Sequence, residues 1–161
     1  MGAVSGVRVA YIDAYVLRPV GAAADAWEVL ALRRARGERS AGSWETVHGS
    51  IESGETPTEA ALREVQEETG LVPARLYSVS RLETFYQHRT DEVALIPVFA
   101  ALVAREAEAR LSREHDAWVW LAPADAAARF SWPRERRALE DVVLLFRKGD
   151  GGLLDDVLRV C

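Results

Sequence analysis

The stretch Gly49-Ser-Ile-Glu-Ser-Gly-Glu-Thr-Pro-Thr-Glu-Ala-Ala-Leu-Arg-Glu-Val-Gln-Glu-Glu-Thr-Gly-Leu71 combines a glycine-containing loop with the start and end signals of a helix. Thr56, Pro57 and Glu59 have the spacing of a capping box that carries proline where its missing N–H costs nothing. Gly70 readily adopts the positive φ that ends a helix. The pattern therefore predicts a helix of about four turns between Thr56 and Gly70.

Three glutamates share one face of this predicted helix. Glu64, Glu67 and Glu68 stand at i, i+3 and i+4, within an arc of about 100°. Like charges at this spacing repel by a few tenths of a kcal/mol, so we expect a cation beside them. Carboxylate oxygens without a soft ligand suit Mg²⁺ or Mn²⁺ far better than zinc. The rest of the helix surface is expected to pack through Ala60, Ala61, Leu62 and Val65.

The alternative is a solvated acidic helix face. Such faces usually carry lysines four residues after the glutamates, and this helix has none. The preceding loop, from Gly49 to Glu55, can also bring backbone close to a ligand. We therefore favour the metal site.

The composition indicates one globular domain over residues 1–161, with a peripheral tail at 149–161. Of the 161 residues, 49% are hydrophobic, which is enough for a core. The net charge of −5 argues against broad nucleic-acid or membrane binding. It allows a phosphate substrate, because a divalent metal reverses the local charge.

The single cysteine, Cys161, offers no disulfide, zinc cluster or ordered nucleophile. Charges at Arg8, Asp13 and Arg18 argue against a leader or membrane span, so we expect a cytoplasmic protein.

Alternating, β-branched and aromatic segments predict strands at 7–17, 27–34, 44–48, 76–86, 92–103 and 117–121. Polar or glycine-bearing segments at 21–25, 36–43 and 87–91 predict turns or loops. Proline opens predicted helices at 123–129 and 133–147, the second with an apolar stripe of Leu139, Val142, Val143 and Phe146. Strands interleaved with few helices favour an α/β fold, with a mixed sheet covered by helices on both faces.

The segment from Gly49 to Leu71 also resembles the Nudix box, the signature of the Nudix hydrolases, and departs from it at no specified position. The resemblance implies an α/β/α sandwich and a metal-dependent pyrophosphohydrolase. In that reading Glu64, Glu67, Glu68 and the Gly49 carbonyl hold Mg²⁺ or Mn²⁺. Arg63 is included among the catalytic residues, and we expect it to tie the loop to the helix beside Glu64, since a guanidinium can bridge carboxylates bidentately. The resemblance implies that Arg63 and Glu55 act largely as structural supports.

Glu114 is a further candidate outside the box. It lies in Ser112-Arg-Glu-His115, shortly before Trp120-Leu121, and many Nudix hydrolases carry a similar segment here. The resemblance implies that Glu114 approaches the metals as an extra ligand or as the general base. The alternative is a solvated loop acid. His115 is expected to have an orienting or structural role, and Glu52 belongs either to solvent or to the metal shell.

Four residues are candidates for substrate binding, namely Arg33, Arg34, Trp44 and His48. The two arginines belong to a cluster with Arg36 and Arg39, for which solvated surface is the alternative. Trp44 is either a core anchor or a stacking platform, and His48 stands where many family members have glycine.

A weaker resemblance concerns the substrate. The segments 44–56 and 114–121, with Ser131-Trp132, are similar to the dihydroneopterin triphosphate diphosphatase branch of the family. We expect Mg²⁺-dependent cleavage of a nucleoside or pterin triphosphate, or of a related nucleoside diphosphate derivative. The expected partner is a phosphorylated small molecule, without nucleic acid or membrane, for a monomer or homodimer. Alternatives are a non-catalytic nucleotide-binding module and an isoprenoid-diphosphate isomerase, which would need an ordered cysteine.

Overall fold

The computed structural model describes residues 6–21 and 26–161, so residues 22–25 of the predicted turn lie outside it. The strands are β1 (Val7–Val9), β2 (Tyr11–Pro19), β3 (Trp27–Arg34), β4 (Trp44–Glu45), β5 (Val47–Ser50), β6 (Arg75–Gln87), β7 (Glu92–Leu102) and β8 (His115–Leu121). The helices are α1 (Pro57–Thr69), α2 (Pro123–Arg129), α3 (Pro133–Phe146) and α4 (Asp155–Leu158), the last preceded by a 3₁₀ turn at Gly152–Leu154.

Helix α1 begins and ends where its local signals predict. The Thr56 hydroxyl accepts from the Glu59 N–H at 3.2 Å, and the Glu59 carboxylate accepts from the Thr56 N–H at 2.8 Å. This reciprocal pair is a capping box, and Gly70 ends the helix with φ 69°. Ala60, Ala61 and Val65 are buried, as expected.

The strands form a mixed sheet. β7 pairs antiparallel with β6 and parallel with β1 and β2. β2 pairs antiparallel with β3, which in turn pairs with β8. β4 lies on β3 and β5 lies on β2, so the chain between them crosses from one strand to the other.

Apolar layers cover both faces of this sheet, because successive strand residues point to opposite sides. From β2, Ile12, Ala14 and Val16 pack in the layer beneath α1. Tyr15 and Leu17 pack in the opposite layer, beneath α2 and α3. The predicted α/β/α sandwich is confirmed.

Two predicted strands are each divided in two. The predicted strand 7–17 breaks at Ala10, whose N–H donates to Leu95 while its carbonyl accepts from Ile51. The predicted strand 44–48 breaks at Thr46, whose hydroxyl donates to the Ala14 carbonyl at 2.7 Å and whose N–H donates to Glu135. Val9 lies opposite Leu95 of β7 and Asp13 lies opposite Val98, so the register with β7 shifts by one residue around Ala10. At Thr46 the pairing partner changes from β3 to β2. The local sequence pattern reveals neither change.

The structure adds detail to the predictions for α3 and for the C-terminal tail. Val143 is 36% exposed and lies outside the buried stripe of α3, where Ala138 is buried instead. The tail is joined to the edge of β6: the Val160 N–H donates to the Leu76 carbonyl at 2.8 Å, and the Tyr77 hydroxyl donates to Asp155 at 2.6 Å.

Among the described residues, no helix has the length and apolar character needed to cross a bilayer.

Candidate active site

A cleft of about 270 Å³ opens where β5, α1 and the segment before β8 meet. Its lining residues are Tyr11, Arg34, His48, Gly49, Ser50, Glu52, Glu64, Glu68 and Glu114. The structure thus brings together six predicted site residues that are far apart in sequence. A larger groove of about 590 Å³, between α3 and the C-terminal tail, contains none of them.

Arg63 joins the loop to the helix and does not line the cleft. Its guanidinium donates to both oxygens of Glu55, at 2.8 and 2.9 Å, and to the Ser50 carbonyl at 2.8 Å. It also donates to Glu64 at 2.8 Å and to Glu67 at 3.1 Å. The hydrogen bond from Arg63, followed by that from the backbone N–H of Glu52, lowers the pKa of Glu55 to about 2. These contacts are those of a structural support.

The three glutamates of α1 differ in burial. Glu68 is buried, and its pKa lies well above the usual range because of burial, with smaller contributions from Glu64, Glu45 and Glu114. Glu64 is half-buried; burial raises its pKa, and Arg63 partly offsets this. The Glu67 side chain is 60% exposed and reaches Arg63 instead of the cleft. The cleft therefore concentrates negative charge that a cation would relieve.

The donor set fits a hard divalent cation. Glu64, Glu68 and Glu114 present only oxygens, which is the chemistry of Mg²⁺ and Mn²⁺ sites. In residues 6–21 and 26–161, no three His, Cys, Asp or Glu side chains are already arranged as a metal-binding group. Arg63 donates hydrogen bonds to Glu64 and Glu67, and these bonds compete with coordination of a metal by the same carboxylates.

Glu114 reaches the cleft because its loop is attached to the end of α1. The Arg110 N–H donates to the Thr69 carbonyl at 2.7 Å, and the Ser112 N–H donates to the Glu68 carbonyl at 3.3 Å. These bonds satisfy carbonyl groups that a helix end leaves without partners. The Glu114 carboxylate, half-exposed, accepts from Arg34 at 3.5 Å.

The candidate substrate residues separate into two groups. Arg34 lines the cleft and donates to Glu45 at 3.3 Å. Arg33 points to the opposite side of the sheet, where it donates to Asp116 at 2.7 Å. Trp44 lies on the same side and packs against the apolar layer beneath α2 and α3. Its backbone N–H donates to the Ser131 hydroxyl at 3.0 Å. The structure therefore does not bring Arg33 and Trp44 to the cleft.

His48 belongs to the cleft and has partners that sequence reasoning missed. Its Nδ1 lies 2.7 Å from the buried Asp13 carboxylate, and its ring stacks on Tyr11 with centroids 5.3 Å apart. Arg134 donates twice to Asp13, at 3.0 and 3.2 Å. Burial raises the pKa of Asp13, but His48 and Arg134 outweigh it and the net shift is downward. The available signal in the sequence was the charged Asp13 among the otherwise apolar and aromatic residues 11–17 of β2.

Comparisons with known proteins agree with this geometry. The model of the NUDIX domain family matches residues 11–142, which include every residue that lines the cleft. The chain is 32% identical over 100 residues to the asymmetrical bis(5'-nucleosyl)-tetraphosphatase of Rattus norvegicus, covering 61% of this chain and 68% of that enzyme. The Escherichia coli dihydroneopterin triphosphate pyrophosphohydrolase superposes with a TM-score of 0.63 at 26% identity, covering 85% of this chain and 99% of that one.

A third relative, the octanoyltransferase of Myxococcus xanthus, is 38% identical over 100 residues. That match covers 58% of this chain but only 26% of the relative, so the chain spans about a quarter of its length. The family match and the tetraphosphatase similarity support a hydrolase that acts on acid anhydrides. Nudix hydrolases generally use a divalent metal and act on phosphorylated small molecules. The matched domain, the α/β/α sandwich and the acidic cleft together show that the chain belongs to the Nudix family.

Proposed function

We propose that the protein is a Mg²⁺-dependent pyrophosphohydrolase that cleaves a diphosphate linkage by attack of water at phosphorus. The observation that carries the proposal is the convergence of Glu64 and Glu68, from α1, with Glu114, from a separate loop, on one cleft. A binding module would have no need of this complete set of carboxylates. Their convergence favours catalysis over nucleotide sensing.

Glu64, Glu68, Glu114 and the Gly49 carbonyl would hold the metal, with Glu67 as a further ligand once it leaves Arg63. When bound, the divalent ion neutralises charge on the diphosphate and lowers the pKa of water. Mn²⁺ would suit the same oxygen donors.

The residues of the chain supply proton transfer and orientation. A carboxylate of the cleft, from α1 or Glu114, takes the proton of the attacking water. Glu114 suits this role because it is half-exposed and lines the cleft from the segment before β8. Arg34 supplies positive charge beside it for a substrate phosphate, although two carboxylates already accept from its guanidinium.

The cleft and the relatives support a proposal for the substrate class. Nδ1 of His48 is engaged in the hydrogen bond with the Asp13 carboxylate. Nε2 is therefore the ring nitrogen that remains for a substrate. We propose a preference for small nucleoside or pterin triphosphates over nucleotide sugars, with pyrophosphate as a product. The similarity to the rat tetraphosphatase favours a second candidate, the dinucleoside polyphosphates.

A substrate panel at fixed Mg²⁺ tests the proposal. Release of pyrophosphate and monophosphate would be measured together, with nucleoside triphosphates, a pterin triphosphate, a dinucleoside tetraphosphate and a nucleotide sugar. Reaction in ¹⁸O-labelled water should place the label on a phosphate product. A dinucleoside polyphosphate or nucleotide sugar with the highest kcat/KM would contradict the substrate preference, whereas no metal-dependent hydrolysis of any member would contradict the activity itself.

A further inference from the structure

His115 is buried between two carboxylates behind the cleft. Its Nε2 lies 3.2 Å from Oε1 of Glu45, and its Nδ1 lies 4.0 Å from Oε2 of Glu68. The side chains of His115 and Glu68 are 0% and 4% exposed. Among the residues that the structure describes, neither Nδ1 of His115 nor Oε2 of Glu68 has a hydrogen-bond partner.

A break in strand register turns His115 toward α1. Trp118 and Trp120 of β8 belong to the layer beneath α1, so regular alternation would send Asp116 to that side. The pairing of β3 with β8 shifts at this point and sets Arg34 opposite His115. Such bulges re-aim side chains. His115 thereby takes the inward position beside Glu45 and Glu68.

Two facing, unpaired polar atoms in a buried site favour a hydrogen bond. Leaving a buried polar group unpaired is costly, because the group has given up its hydrogen bonds to water without a replacement. A side-chain movement of about 1 Å brings Nδ1 of His115 and Oε2 of Glu68 within hydrogen-bonding distance. The Arg34 guanidinium donates a hydrogen bond to the Glu45 carboxylate, and the same carboxylate is hydrogen-bonded to Nε2 of His115. A hydrogen bond between these two atoms can form whether the shared proton resides on nitrogen or on oxygen.

We propose that His115 is a positioning residue for Glu68. Anchored on Glu45 through Nε2, it holds Oε2 of Glu68 through Nδ1 and leaves the other carboxylate oxygen for the cleft. This inference rests on the proposed function, in which Glu68 is a metal ligand. Partners of this kind orient ligating groups and typically change metal affinity by about 10–100-fold when removed.

Two substitutions separate the contacts of His115. His115→Asn retains an amide nitrogen near the position of Nδ1, facing Glu68, and loses the reach to Glu45. His115→Gln retains an amide nitrogen near the position of Nε2, facing Glu45, and loses the contact with Glu68. Titration calorimetry with Mn²⁺ alone should show affinity reduced about tenfold or more for His115→Gln and within about threefold of wild type for His115→Asn. The kcat should follow the same order, with KM little changed.

Equal Mn²⁺ affinities for both variants, whether both weakened or both unchanged, would overturn the positioning role. Glu68→Gln distinguishes this failure from failure of the proposed function. If Glu68→Gln binds Mn²⁺ and turns over as the wild type does, the metal site itself is wrong. If it loses both while the two His115 variants bind as the wild type does, only the positioning role fails.

A measurement on the wild-type protein covers the case in which a variant does not fold. The chain has three histidines, and their ¹⁵N resonances can be assigned with ¹⁵N-histidine labelling and substitution of His48 and His88. With Mg²⁺ present, Nδ1 of His115 should have the shift of a protonated or hydrogen-bonded nitrogen. The shift of a free, unprotonated ring nitrogen at Nδ1 would contradict the proposal.

Discussion

The Glu64 carboxyl group lies so close to the backbone of Gly49 that a β-carbon at residue 49 would overlap it. Gly49 pairs with Ile12 across β2 and β5 and faces the α1 side of the sheet. The first glycine of the box is therefore required for space rather than for an unusual backbone conformation. Its missing side chain lets a carboxylate of α1 rest on the edge strand of the cleft.

Gly49→Ala should remove activity while sparing the fold. The overlapping atoms are the end of a flexible side chain, so Glu64 moves aside at little cost to stability. We expect kcat to fall at least about tenfold, equivalent to about 1.4 kcal/mol, with the free energy of unfolding changed by less than about 1 kcal/mol. Gly6→Ala is the matched control, because in the described part of the chain no atom outside Gly6 and its neighbours in sequence lies within 4 Å of a β-carbon there. Wild-type turnover in Gly49→Ala would show that the Glu64 position is unimportant.

Glu67→Gln and Glu68→Gln should each reduce turnover by orders of magnitude and weaken Mg²⁺ binding. Their effects on the metal-free fold should be small for different reasons. Glu67 loses only an exposed ion pair with Arg63, worth less than about 1 kcal/mol. Glu68 exchanges a carboxyl group, whose charged form is disfavoured by burial and to a smaller extent by neighbouring carboxylates, for a neutral amide. Steady-state kinetics and urea unfolding measure both properties, and more than a tenth of wild-type turnover in both variants would refute the metal assignment.

Glu114→Gln should depress kcat far more than it raises KM, because a base or late metal ligand acts mainly in the transition state. Asp116→Asn provides the control. Asp116 is similarly exposed but pairs with Arg33, away from the cleft. Steady-state kinetics of both variants would decide the matter: unchanged kcat in Glu114→Gln would reduce Glu114 to a loop acid.

Glu135 should make stability depend on pH. It is buried, accepts from the Thr46 N–H at 3.2 Å and has a second oxygen without a partner among the described residues. Burial, followed by the nearby Asp13 charge, holds its pKa well above the usual range, although Arg134 opposes this. The folded state therefore retains a proton that the unfolded chain has released, so this contribution to stability falls as pH rises from about 4.3 through the folded pKa.

Glu135→Gln removes this titration. Urea unfolding at a series of pH values should show the variant gaining stability relative to wild type as pH rises, with the difference levelling off above the folded pKa. Glu140→Gln, exposed on the same helix, is the control and should show no such trend. A difference between Glu135→Gln and wild type that is constant with pH would mean that Glu135 is ionised in the folded protein throughout the range.

Local chemistry explains which features the sequence predicted well. The limits of α1 follow from Thr56, Glu59 and Gly70, all of which act within one or two turns of their own position. The strand divisions at Ala10 and Thr46 were missed because the first marks a shift of register with β7 and the second a change of partner strand from β3 to β2. A residue pattern records which side chains are apolar, but it does not record which distant strand lies beside them.

The same distinction between local signals and long-range packing applies to the active-site cleft. Sequence by itself determined that α1 carries glutamates at i, i+3 and i+4 and that a loop containing glycine precedes it, since these depend on spacing along one segment. Tertiary structure decided that Glu114, Arg34 and His48 reach the cleft whereas Arg33 and Trp44 do not. It also turned His115 inward through a bulge, against the alternation of its own strand. The physical reason is that these placements depend on strand register and packing, which arise only when segments far apart in the chain come together.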